Sequence, residues 1–133
     1  LKNALENVEI RELLWTNPSP KSAFKPQLVA LDLSKHNSVI IKYCNYPYAD
    51  DRNVTTYTTQ FLDRSEIAEG RIDVCISGDT SNNFWAAQRE AKLKDNGVHF
   101  TDGFYKIQNN LGWTLDNKNL IPIKIYGVKK LNV

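Results

Sequence analysis

Phe84-Trp85-Ala86-Ala87-Gln88-Arg89-Glu90-Ala91-Lys92-Leu93-Lys94-Asp95-Asn96-Gly97-Val98-His99-Phe100 is the stretch on which the fold class turns. Its Ala, Gln, Glu and Lys content is that of a helix. The Asn96-Gly97 pair points the other way. Asn-Gly supplies the positive φ values of a type I′ turn, and a hairpin needs a strand on either side. Read with its hairpin, 84–94 is a strand. No helix-sized crossover then remains for a parallel α/β sheet.

Outward from the hairpin, β-signals continue in both directions. Ile72-Asp73-Val74-Cys75-Ile76-Ser77 alternates with period two, placing Ile72, Val74 and Ile76 on one face. Val39-Ile40-Ile41-Lys42-Tyr43-Cys44 is the most apolar and β-branched run and reads as a central strand. Leu28 to Leu33 and the Thr-rich Thr55 to Leu62 are further strands, the latter suited to a half-exposed surface. Phe104-Tyr105-Lys106-Ile107 extends the hairpin's second strand across a bulge at Asp102-Gly103. An Asn-rich loop over 109–119 leads to the last strand, Leu120 to Val128. There Pro122 cannot donate to a ladder and marks an edge or the neighbourhood of a bulge.

About eight strands with polar turns between them predict an all-β antiparallel β-sandwich, jelly-roll-like. At the front, Leu1, Leu5 and Val8 approximate a helical stripe, with Lys2, Glu6, Glu9 and Arg11 opposite. Residues 1–13 are therefore expected to form a short N-terminal helix or the end of a stalk, with 14–133 as the head. Asn17-Pro18-Ser19-Pro20 stiffens the connection between them.

A chain of 133 residues supports one domain with one core. The net charge is +2, from 17 basic and 15 acidic residues scattered along the chain. Nucleic-acid and membrane-surface proteins carry a basic stripe instead, so neither partner is expected. No apolar run approaches the roughly 18 residues of a membrane span, and Leu1 to Glu6 does not read as a signal peptide. Cys44 and Cys75 fall within strands and read as small buried residues. A disulfide between neighbouring strands is the alternative.

Catalytic chemistry finds little support. There is no Gly-x-Ser-x-Gly elbow, and His36 and His99, the two histidines, read as solvated surface residues. Their spacing offers no metal ligand set, and no Gly-rich phosphate cradle is present, so no cofactor is expected. Asp50-Asp51, Asp63, Glu66 and Glu69 are the carboxylates a glycosidase would draw on, but acids in such loops are more often turn formers. What remains is aromatic: Tyr46, Tyr48, Trp85, Tyr105 and Trp113. Tyr46 and Tyr48 beside Asp50, Asp51 and Arg52, together with Trp113 among Asn109, Asn110 and Asn117, suit a ligand whose apolar face stacks while its hydroxyls are hydrogen-bonded. The competing reading is that these aromatics cap the core or fill a subunit interface.

Two passages resemble a known family. Leu14-Trp15-Thr16-Asn17-Pro18-Ser19-Pro20, with Phe24, Gln27 and Leu31-Asp32-Leu33-Ser34, is similar to the opening of small C-terminal head domains of tail-fibre and baseplate receptor-binding proteins. These belong to phages and prophages of Gram-positive bacteria. Ile121-Pro122-Ile123-Lys124-Ile125-Tyr126-Gly127-Val128-Lys129 resembles their closing strand. The two passages bracket 14–129. Lys35-His36-Asn37 departs from the Gly-aromatic pair of similar sequences. The resemblance implies a homotrimeric head on the virion tail, assembled in the bacterial cytoplasm, that contacts a host cell-surface polysaccharide or receptor. Its other partners are further tail or baseplate proteins. A structural tail subunit that binds virion proteins alone, and a glycan hydrolase, are the alternatives.

Overall fold

The structure, a computed structural model, describes residues 9–44, 57–77, 84–107 and 112–130. Among the described residues the strands are β1 (Glu9–Thr16), β2 (Gln27–Ala30), β3 (Ser38–Cys44), β4 (Tyr57–Asp63), β5 (Glu69–Ser77), β6 (Phe84–Lys94), β7 (Gly97–Ile107), β8 (Thr114–Leu115) and β9 (Ile121–Lys130). No helix occurs among the described residues. The described residues are all-β, in two antiparallel sheets. The first has the order β1-β9-β3-β4 and the second β2-β7-β6-β5, with β8 added beside β7.

The helix expected over 1–13 is corrected where it can be followed. Residues 9–13 belong to β1, paired from Glu9↔Lys130 to Leu13↔Tyr126 along β9, whereas 1–8 lie outside the described residues. Glu, Leu and Arg favour a helix locally, but Ile10, Glu12 and Leu14 are more covered than Glu9, Arg11 and Leu13, a period of two. A partner at the far end of the chain outweighs the local propensity.

The ambiguous segment is strand β6, and its hairpin with β7 forms. The turn differs from the expected type I′. Asp95 and Asn96 make the two-residue loop, and the positive φ falls on Gly97 (φ 149). A Cβ at Gly97 would lie 2.0 Å from the Val29 carbonyl oxygen, so glycine is what lets β2 come alongside. The bulge appears where Thr101 and Asp102 together oppose Glu90. Pro122 sits beside a register shift opposite Tyr43, within a central strand.

Both sheets turn apolar faces into one buried cluster. Val39, Ile41, Tyr43, Leu62, Ile121 and Ile125 enter from the first sheet, and Val29, Ala87, Ala91, Leu93, Val98 and Phe100 from the second. Phe100 meets Phe24 edge-to-face at 5.3 Å and Tyr43 at 6.2 Å, joining the layers. A polar relay also crosses: the Tyr43 hydroxyl donates to Gln60 Oε1 (2.7 Å), and Gln60 Nε2 donates to the Gly70 carbonyl (3.0 Å). Burial raises the Tyr43 pKa far above its usual value, so the phenol stays a donor. Cys44 is buried in the first sheet and Cys75 belongs to β5 of the second, so the two do not lie on neighbouring strands.

Arg89, between the buried Ala87 and Ala91 of β6, is itself only 1% exposed. All five of its N–H groups donate to backbone carbonyls: Nε to Leu120 (2.9 Å), Nη1 to Phe24 (3.0 Å) and Thr101 (2.7 Å), Nη2 to Asn117 (3.2 Å) and Asn119 (2.9 Å). Burial pulls its pKa down to about 10, which leaves the guanidinium charged at neutral pH. Gly103 makes room for it: a Cβ there would be 2.6 Å from Nη2.

Candidate functional site: the outer face of the first sheet

Alternation along β1, β9, β3 and β4 sends one set of side chains away from the core. Register fixes their order. Leu13, Tyr126, Ile40 and Phe61 lie directly opposite one another across all four strands. Leu13 is 53% exposed and Phe61 50%. The outward face of an antiparallel sheet is ordinarily polar, and a continuous apolar row departs from that pattern.

The rows on either side differ from each other. On one side Thr16, Lys124, Lys42 and Thr59 are in register. Two lysines directly opposed repel, and the Lys42 ammonium sits 4.0 Å from the Tyr57 ring centroid. On the other side come Arg11, Val128, Ser38 and Asp63. Here the surface sinks into a concavity of about 610 Å³, lined by Phe61, Val128 and Ser38 together with the charged Glu9, Lys35 and Glu66.

Two turns raise the wall of this concavity, and hydrogen bonds hold them. Asp63 Oδ1 accepts from the Ser65 amide (2.8 Å) and from Asn37 Nδ2 (3.3 Å), and Asn37 Nδ2 also donates to Ser65 Oγ (3.0 Å). Asp63 is thereby a turn former, as such acids often are. Arg64 Nη2 donates to the carbonyls of Leu33 and His36. His36 was expected on the surface and is instead buried, 6% exposed. Its ring lies over Gly127, where a Cβ would be 2.6 Å from His36 Cδ2. Its Nε2 is 3.3 Å from Glu12 Oε2, and Glu12 Oε1 is 3.0 Å from Lys129 Nζ. The hydrogen bond from Lys129 holds the Glu12 carboxyl below its usual range. The Ser34 hydroxyl and amide do the same for Asp32.

Such a surface can stack an apolar ligand face on Phe61 and the row beside it, and can offer carboxylates, an ammonium and amides to hydroxyl groups. Among the described residues no cluster of three or more His, Cys, Asp or Glu is placed to hold a metal ion. Glu69 is engaged with Lys92 at 3.9 Å.

The sequence-based site is only partly described. Tyr46, Tyr48, Asp50, Asp51 and Arg52 lie outside the described residues, as do Asn109 and Asn110. Trp113 is 39% exposed on the second sheet, where Lys106 Nζ lies 5.0 Å from its ring centroid. Its neighbour Leu115 is 56% exposed opposite Phe104. Asn117, expected beside a ligand, instead holds the bulge: its Oδ1 accepts from the Gly103 amide (2.7 Å) and its Nδ2 donates to Asp102 Oδ1 (3.0 Å). Leu13, Ile40, Phe61 and Tyr126 were not singled out from sequence. Strand alternation places each on an outer face, but only the register aligns them. Protein-family models, curated proteins and solved structures all lack a match to this chain.

Proposed function

We propose that this domain is a β-sandwich attachment head of a phage or prophage tail fibre, and that the outer face of its first sheet contacts a host cell-surface glycan or protein. The observation that carries the reading is the apolar row Leu13–Tyr126–Ile40–Phe61 beside a concavity lined in part by charged residues. The sequence resemblance at 14–34 and 121–129 supplies the biological setting. Two sheets sharing one core support the sandwich. The neighbours β1–β9–β3 and β2–β7 are wired as in a jelly roll. The β3–β4 hairpin, which stays within one sheet, and β6, which lies between β7 and β5, are departures from it.

Shallow sites of this type act through several copies at once, because linked weak contacts multiply in avidity. The same row fits the second reading, a tail subunit that binds only virion proteins, since exposed apolar residues also serve protein contacts. A panel of Gram-positive cell-wall polysaccharides separates the two. The folded protein should bind a subset of the panel, and Phe61→Ser should weaken that binding at least about tenfold, the loss of one stacked aromatic. Binding to no member of the panel favours the virion-only role.

A further inference from the structure

The open edge of β2 carries a second surface, distinct from the outer row Leu13–Tyr126–Ile40–Phe61. Among the described residues β2 pairs only with β7. The Leu31 amide donates to the Asn96 carbonyl at 3.0 Å, in phase with the Val29↔Val98 and Gln27↔Phe100 pairs. Antiparallel ladders alternate, so the backbone groups of Gln27 and Val29 face β7, and those of Leu28 and Ala30 face outward. Both of these residues are exposed.

Against this edge opens a cleft of about 370 Å³, lined by Trp15, Asn17, Phe24, Leu28 and Ala30 among others. Its apolar part is preformed, because Trp15 meets Phe24 edge-to-face at 6.1 Å and Phe24 is anchored on Phe100. Its polar part is fixed as well. Asn17 Nδ2 donates to the Pro122 carbonyl (2.9 Å), and the Phe24 amide donates to the Asn117 carbonyl (2.8 Å). Charge along the segment is mainly basic: residues 16–31 contain Lys21 and Lys25 and no acid, and the next residue, Asp32, accepts from the Ser34 amide (3.1 Å). Exposed edges are normally blunted by charge. The opposite edge of the same sheet, β5, carries Glu69, Arg71 and Asp73, while Gln27-Leu28-Val29-Ala30 carries none.

We propose that the β2 edge accepts an extended, acid-flanked peptide from another protein as an added strand. Leu28 and Ala30 would supply its backbone hydrogen bonds, the Trp15–Phe24 cleft would take one apolar side chain, and Lys25 would face an acidic residue. Backbone pairing gives such recognition its affinity and the pocket its selectivity.

The test is an amide chemical-shift titration of the whole chain with a synthetic peptide of alternating valine and threonine flanked by aspartates. The expected result is saturable shifts confined to Trp15, Phe24 and residues 27–30. Leu28→Pro removes an outward-facing donor without touching the β7 ladder and should weaken binding at least tenfold. The same peptide N-methylated on alternate amides should not bind, and a lysine-flanked one should bind more weakly. No binding by the aspartate-flanked peptide overturns the proposal, as does binding that N-methylation leaves unchanged. Should the Leu28→Pro chain fail to fold, the N-methylated peptide decides alone.

Discussion

Arg89 meets five backbone carbonyls with five N–H groups, an arrangement only a guanidinium provides. A lysine has three donors, so Arg89→Lys strands at least two buried carbonyls. At about 1–3 kcal/mol for each orphaned group, urea unfolding should show a loss of roughly 2–6 kcal/mol. Leu120 belongs to the same arrangement: it is held at φ 48, a left-handed conformation for a non-glycine residue, and its carbonyl faces Arg89 Nε. Gly97→Ala combines an unfavourable positive φ with a methyl 2.0 Å from a backbone oxygen. It should cost roughly 2 kcal/mol or more and lower the thermal midpoint accordingly. Arg89 was not singled out from sequence, although period two sets it in line with the buried Ala87, Ala91 and Leu93. Its acceptors come from segments around residues 24, 101 and 117–120, and no local pattern announces them. His36 was misread for a similar reason. A polar turn reads as solvated, whereas long-range contacts with Gly127 on β9 and Glu12 on β1 cover the ring.

Among the elements, β6 and β7 were readable because the Asn-Gly signal outweighed helical propensity, and the strand around Ile41 because its residues are β-branched. β1 was not. Its helix-favouring residues carry no local sign that Lys124 to Lys130 will pair with them. The register is experimentally distinguishable from a stalk helix. Removing residues 1–13 takes most of β1 from the first sheet, uncovers β9 and deletes the Glu12–Lys129 ion pair. The shortened chain should lose more than about 2 kcal/mol in denaturant unfolding, beyond the usual cost of one substitution. A helical stalk would leave the head's stability unchanged. The edge at β2 is likewise an element-scale property, since it depends on which backbone groups face outward.

Across the whole molecule, β-class and approximate strand positions were legible, and the order of strands within the sheets was not. Period two sorts side chains into faces, but a row such as Leu13–Tyr126–Ile40–Phe61 exists only once both chain ends and the β3–β4 hairpin are aligned. The site read from sequence centred on loop residues that lie, Trp113 apart, outside the described residues, and the described structure adds an apolar row on a sheet. If the head works by avidity, sedimentation at micromolar concentration should show a trimer, and monomer alone would count against multivalent attachment. The most direct measurement maps the contact itself, as amide shift changes on adding purified host cell-wall polysaccharide to the folded protein. The account predicts that the perturbed residues gather at Leu13, Ser38, Ile40, Phe61 and Tyr126, with Trp113 unaffected. A footprint around Trp113 and Leu115 that spares the first sheet would contradict it.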